Sequence, residues 1–234
     1  MPSALIRVGH KGADHVAPGN TAASFQAALD CGVDMIEFDV LQLHDGRLVL
    51  AHDHGDAAER EPLSLDQGLD LLAGEAYREV GLDVDLKLPG YEAEVIAGLA
   101  DRGLDTGALI SSAFPQSLAR VGELAPGMRR GWSIPRARRD YTKSLVWALP
   151  AFAALRWMRA GLPAKAERAL GRGQCEAFMV HRLLVSRLLV ERVQDSGGQL
   201  YVWTVDDAHE IGRLEALGVD AVITNDPRLF SGGG

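Results

Sequence analysis

Glu37 and Asp39 sit two residues apart inside the apolar run DMIEFDV (34–40), and that placement asks for a chemical explanation. An extended strand has a side-chain period of two, so both carboxylates project from one face. Carboxylates are seldom buried without a partner. Two that close repel unless a proton or a cation neutralises one of them. The same spacing recurs with Asp85 and Lys87 in VDLKL (84–88). Histidines, suited to moving protons near neutral pH, stand just past one apolar run at His10 and close another at His52. If these faces meet, three carboxylates, two histidines and a lysine share one pocket. The simplest neutraliser is a hard divalent ion, Mg²⁺ or Ca²⁺, on oxygen ligands.

Elements must aim those residues. Strands are predicted at 5–9, 35–40, 48–52, 84–88, 109–113, 129–134, 176–180, 200–205 and 220–225. Helical patterns fill 21–31, 64–73, 91–103, 116–124, 183–195 and 207–217. Gly32, Gly103 and Gly218 punctuate helix ends, where left-handed caps favour glycine. Strands alternating with helices of this length imply parallel β–α units. About eight such units in one α/β domain of this size point to a (β/α)8 TIM barrel over residues 1–234, its second strand prolonged by a hairpin at 41–52. A doubly wound open sheet is the alternative, but no G-x-G-x-x-G follows the first strand. Active sites of such barrels sit at the C-terminal strand ends, where His10, Glu37, Asp39, His52, Asp85 and Lys87 cluster.

Composition narrows the function classes. The chain has 234 residues, 47% hydrophobic, enough for a real core in one large domain. Cys31 and Cys175 lie far apart, which supports neither a disulfide framework nor a thiolate metal site. The start, MPSALIRVGH, lacks a signal-peptide apolar region, and no apolar run reaches membrane-spanning length. The expectation is a soluble cytoplasmic protein. A net charge of −8 argues against nucleic-acid affinity. The charge is uneven: residues 129–172 carry eleven Lys/Arg against Asp140 and Glu167, so an acidic body carries one basic segment.

Linked blocks in order then bring a family into view. GHKG (9–12), APGNTAASFQAAL (17–29), GVDMIEFDVLQLHDGRLVLAHD (32–53), DLK (85–87), ISSAF (110–114), WTVDD (203–207) and ITNDP (223–227) cover almost the whole chain. Together they resemble the glycerophosphodiester phosphodiesterase family, whose pattern runs H-R-G … P-E-N-T … I-E-x-D-V … D-G … H-D … E-I-K … W-T-V-N. The resemblance implies a (β/α)8 barrel, one divalent metal, and hydrolysis of glycerophosphodiesters to glycerol 3-phosphate and an alcohol. It assigns Glu37, Asp39 and Asp85 to the metal, His10 and His52 to acid–base catalysis, and Lys11 and Lys87 to the phosphate. Trp203 is expected to wall the barrel mouth and meet substrate.

Four departures matter. Lys11 replaces the family arginine, keeping charge but losing a bidentate fork. Gly19 stands where P-E-N-T has glutamate, so an Arg–Glu pairing is absent. Asp85 is one methylene shorter than the family glutamate. The subdomain that usually follows the H-D motif is missing, since about a dozen residues join His52 to the helix near Leu65. The related sphingomyelinase D barrels share the last two features, which makes a lysophospholipid or other lipid phosphodiester the rival substrate. A non-catalytic phosphoester-binding barrel is the alternative from outside enzymology.

Other residues receive plainer readings. Asn20 is expected to cap the first helix, with a second role near the phosphate in reserve. His44 and His54 read as solvated turn residues, with His54 close enough to contact substrate, and Ser111 and Ser112 as satisfying backbone groups. The segment 140–172, part of a basic insertion at about 135–172, reads as an extended barrel helix, a peripheral membrane contact or an oligomer contact.

Overall fold

The computed structural model describes residues 4–135 and 148–232. Eight parallel strands close on themselves: β1 (Ile6–Gly9), β2 (Met35–Gln42), β4 (Gly81–Leu86), β5 (Ala108–Ser112), β6 (Arg129–Ile134), β7 (Ala177–His181), β8 (Gln199–Trp203) and β9 (Ala221–Thr224). β1 pairs with both β2 and β9, so the sheet is a closed barrel and not an open doubly wound sheet. The short β3 (Leu48–Leu50) runs antiparallel on β2 and forms the expected hairpin.

Helices return the chain between strands: α1 (Ala22–Asp30), α3 (Leu65–Leu72), α4 (Glu92–Ala100), α5 (Pro115–Leu124), α6 (Ala148–Gly171), α7 (Arg187–Asp195) and α8 (Ala208–Leu217). Local chemistry sets their limits. Ser64 and Gln67 form a capping box on α3, Asp207 caps α8, and Gly218 ends α8 in the left-handed region at φ 91°. The helix expected from 183 starts at Arg187, because the Ser186 hydroxyl accepts from Leu189 N and a 3-10 turn precedes it. The cap of α1 is Thr21, whose side chain accepts from Ser24 N, and not Asn20 as expected. Asn20 is drawn away by a buried partner described below.

Strand alternation divides the core. Inward positions build an apolar plug of Val8, Met35, Leu109, Met179, Tyr201 and Ile223. Outward positions such as Ile36, Phe38, Val84 and Ile110 pack under one arc of helices, and Phe178, Val180, Val202 and Val222 under the other. The plug fills the lower barrel, so polar inward residues are left to the mouth.

Within the basic segment, β6 is followed in the described residues by one helix, α6. Along α6, Leu162, Ala166, Ala169 and Leu170 are buried, while Arg156, Trp157 and Arg159 face solvent. Lys165 Nζ lies 4.3 Å from the centroid of the Trp132 ring, a cation–π contact that ties α6 to β6. Residues 136–147, including the first part of the 140–172 segment, lie outside the described residues. Among the described residues, no helix is long and apolar enough to cross a membrane.

Candidate active site

Glu37 and Asp39 lie on β2 beside Asp83 and Asp85 on β4, paired in register as Glu37–Asp83 and Asp39–Asp85. All four point into the barrel. Glu37, Asp39 and Asp85 each offer an oxygen within 4.8 Å of the others. Such an all-oxygen, net-negative donor set fits a hard divalent cation. Lys87 follows the end of β4, which stops one residue short of it, and its Nζ touches Asp39 Oδ1 and, at 2.5 Å, Asp85 Oδ2. The lysine is therefore the built-in counter-charge of the cluster.

The electrostatics follow from burial and neighbours. Burial, then the charge of Asp39, pushes the Glu37 carboxyl well above its ordinary range. Burial alone would raise Asp39 too, but Lys87 and then His52 outweigh it and hold that carboxyl well below its usual range. Burial opposes the charge on Lys87, yet Asp39 and Asp85 prevail and push its ammonium well up.

The two histidines flank the carboxylates. His10 Nε2 lies 3.8 Å from Glu37 Oε2, and His52 Nδ1 lies 3.5 Å from Asp39 Oδ2. Burial lowers the pKa of His10 and keeps its ring neutral at neutral pH. His52 stays half exposed at the rim, with its side chain 51% accessible.

The GHKG turn organises the first strand end. Lys11 (φ 50°) and Asn20 (φ 58°) are both in the left-handed region, sparsely used by residues other than glycine. The Lys11 amide donates to Glu37 Oε2 at 2.8 Å, and the Asn20 amide donates to Lys11 O at 3.0 Å. The Asn20 side chain then grips Asp39 twice, donating to Oδ2 at 2.9 Å and accepting from Asp39 N at 3.0 Å. Gly12 is required here, since a Cβ would lie 2.6 Å from Ser24 O. Gly19, where the family pattern has glutamate, packs closely on Asp14, and its amide donates to Asp14 Oδ1 at 2.8 Å. Asp14 supplies the missing carboxylate instead, meeting Lys11 Nζ at 3.3 Å.

His10, Lys11, Glu37, His52, Asp85, Lys87 and Trp203 all line one cavity of about 600 Å³, with Asp39 buried alongside. The Trp203 indole packs edge-on to His181 at 5.4 Å. His44 and His54 are exposed, as expected, and stack on each other at 4.6 Å, and His54 also lines the cavity. The predicted residues therefore converge. Asp83 was missed because the strand was placed from 84, although its spacing from Asp85 is the same as that of Lys87. It is fully buried, neither carboxylate oxygen has a hydrogen-bond partner among the described residues, and burial pushes its pKa up to about 7. Asp14, Asn225 and Asp206 were also missed; Asp206 and Asn225 lie inside the WTVDD and ITNDP blocks, but no local pattern pairs them with each other or with His10.

Comparison with known proteins bears on the family and the fold. Residues 10–60 and 83–229 match the sequence pattern of the Glycerophosphoryl diester phosphodiesterase family. The chain is 28% identical over 257 residues to a glycerophosphodiester phosphodiesterase of Caldanaerobacter subterraneus, with 95% of each covered. Its fold resembles a crystal structure from Silicibacter pomeroyi described as a putative glycerophosphoryl diester phosphodiesterase (TM-score 0.78, 21% identity, 100% of this chain and 95% of that one). It also resembles an Oleispira antarctica phosphodiesterase solved in complex with the product sn-glycerol-3-phosphate (TM-score 0.71, 22% identity, 96% and 94% covered).

Proposed function

The chain belongs to the glycerophosphoryl diester phosphodiesterase family, and on that premise we propose that it hydrolyses glycerophosphodiesters to glycerol 3-phosphate and an alcohol. The observation that carries this reading is the pair of histidines set on either side of a three-carboxylate cluster, 3.8 Å from Glu37 and 3.5 Å from Asp39.

Glu37, Asp39 and Asp85 would hold one Mg²⁺ or Ca²⁺, which when bound offsets negative charge growing on the phosphate oxygens. Lys87 and Lys11 add positive charge beside the same phosphate. His10, neutral and part-buried, takes the proton of the attacking oxygen at Nε2. His52, at the rim beside the Asp39 carboxylate, gives a proton to the leaving alkoxide. Trp203 walls the cavity and offers its apolar face to the alcohol or glycerol. Water as attacker releases glycerol 3-phosphate directly, whereas a neighbouring hydroxyl of the substrate gives a cyclic phosphate. Phosphorus NMR of the products separates these routes.

A lipid substrate is the second reading, favoured by the rim. Only α2 (His54–Glu59) and short loops lie between β3 and α3, and His52 in that connection is half exposed. A bulky alcohol group therefore meets little obstruction on that side. The deciding experiment is a release assay over glycerophosphocholine, glycerophosphoethanolamine, glycerophosphoglycerol and a lysophospholipid, with Mg²⁺, Ca²⁺ or chelator. Metal-dependent release supports the proposal. Binding without turnover under every condition sinks it in favour of a non-catalytic barrel, and full activity in excess chelator removes the metal from it.

A further inference from the structure

His10 is held from behind by two residues that the reaction scheme leaves out. Asn225 follows β9, and Asp206 lies in the loop between β8 and α8. His10 Nδ1 lies 2.6 Å from Asn225 Oδ1. The other end of the Asn225 amide, Nδ2, donates to Asp206 Oδ2 at 2.7 Å, and the Asn225 backbone amide donates to Asp206 Oδ1 at 2.8 Å. The Thr224 hydroxyl adds a third donor to Asp206 Oδ1 at 3.1 Å.

This arrangement leaves no freedom in the proton positions. An ionised carboxylate only accepts, so the Asn225 atom facing Asp206 must be its NH2 group. The carbonyl then faces His10, and a carbonyl also only accepts. The hydrogen between Asn225 and His10 must therefore sit on Nδ1. Nε2, the nitrogen that faces Glu37 and the cavity, is left bare whenever the ring is neutral.

We propose that Asp206 and Asn225 form a positioning relay that fixes His10 as the Nδ1–H tautomer and so presents Nε2 as the proton acceptor. The inference rests on the reading of His10 as the base, and it explains a feature of this chain. Asp206 stands where the W-T-V-N pattern has asparagine. An asparagine at 206 would orient Asn225 differently. Its carbonyl would be claimed by the Asn225 backbone amide, so its NH2 would face the Asn225 side chain. Two NH2 groups cannot bond each other, and the Asn225 amide would turn over and offer its NH2 to His10. Nδ1 would then become the acceptor and Nε2 would carry the hydrogen.

The test is ¹⁵N–¹H correlation NMR of the full chain, with and without Mg²⁺, the His10 ring signals being assigned with His10→Gln. Wild type is expected to show the Nδ1–H tautomer. Asp206→Asn is expected to convert His10 to the Nε2–H tautomer and to lower kcat by a factor of about 10 or more, with KM and the Mg²⁺-induced shift in Tm little changed. The double variant Asp206→Asn/Asn225→Asp restores a carboxylate acceptor opposite Nδ1, and both the tautomer and kcat should recover. Asp206 is exposed, so the single variant is expected to fold. An Nε2–H tautomer in wild type, an unchanged tautomer in Asp206→Asn, or no recovery in the double variant overturns the relay. Because the tautomer is read without turnover, failure of the relay is distinguishable from failure of the phosphodiesterase reading, which the release assay decides.

Discussion

At the residue scale, both histidines and both lysines of the site are set against carboxylates. His10 and His52 touch different carboxylates of one cluster. His10→Ala or His52→Ala should each lower turnover by a factor of about 10² or more, the usual range for a general acid or base. Circular dichroism and Tm should remain near wild type, and near-normal turnover in either variant removes that histidine from the scheme. Lys11 approaches the site while tethered to Asp14. Lys11→Ala should raise KM or lower kcat by about 1–3 kcal/mol, typical of a charged hydrogen bond. Unchanged kinetics would place its ammonium outside the phosphate's reach.

Asp83 makes a different prediction at this scale, because it is fully buried and its carboxylate oxygens have no hydrogen-bond partner among the described residues. Its pKa rises from 3.8 to about 7 on folding. Between those values the folded chain binds a proton that the unfolded chain has released. This group's contribution to stability is therefore largest below about pH 4 and falls as pH rises to about 7, by about 1.4 kcal/mol per pH unit at the steepest. Asp83→Asn in chelator should flatten that slope and stabilise the protein at pH 7. Urea melts across this range that leave the slope unchanged would contradict the burial argument.

At the element scale, neighbouring residues at the start of α1 divide structure from function. Thr21 and Ser24 form the capping box, while Asn20 turns inward to hold Asp39 through two hydrogen bonds. Thr21→Ala should cost about 1 kcal/mol of stability, the usual loss of an N-cap, and leave kcat intact. Asn20→Ala should disturb the carboxylate cluster, weakening Mg²⁺ or Ca²⁺ binding by calorimetry and lowering kcat. Equal effects of the two variants on kcat would mean that Asn20 serves only the turn. The left-handed backbone at Lys11 and Asn20 belongs to the same device, since it lets the Lys11 amide reach Glu37 while Asn20 reaches Asp39.

At the scale of the whole molecule, an acidic chain carries a basic stretch over 129–172. In its described part, α6 shows solvent Trp157, 82% exposed, between Arg156 and Arg159. Together with the short link after β3, this motivates the proposal of bulky or lipid-like alcohol groups and of attraction to anionic surfaces. The protein should sediment with phosphatidylglycerol vesicles at low salt and release as ionic strength screens the charge. Activity on a lysophospholipid should approach that on glycerophosphocholine. Strict selectivity for the small diesters with no vesicle association would return α6 to packing alone.

The sequence by itself determined the barrel and which residue types gather at its mouth. Strand periodicity places Glu37 with Asp39 and Asp85 with Lys87 on shared faces, and helix-length returns make the strands parallel, so these residues converge whatever the loop details. Both are local patterns repeated along the chain, and local patterns are legible in one dimension. Tertiary structure decided which partner each side chain found. Asn20 lies beside a good helix start, yet a buried carboxylate 19 positions away outweighs a cap that Thr21 supplies equally well. His10 takes its orientation from Asn225, 215 residues distant, through closure of β1 against β9. Asp14 compensates for Gly19 only because the turn folds both against Lys11. Hydrogen-bond partners across a closed barrel depend on register and ring closure, and no window of sequence contains them.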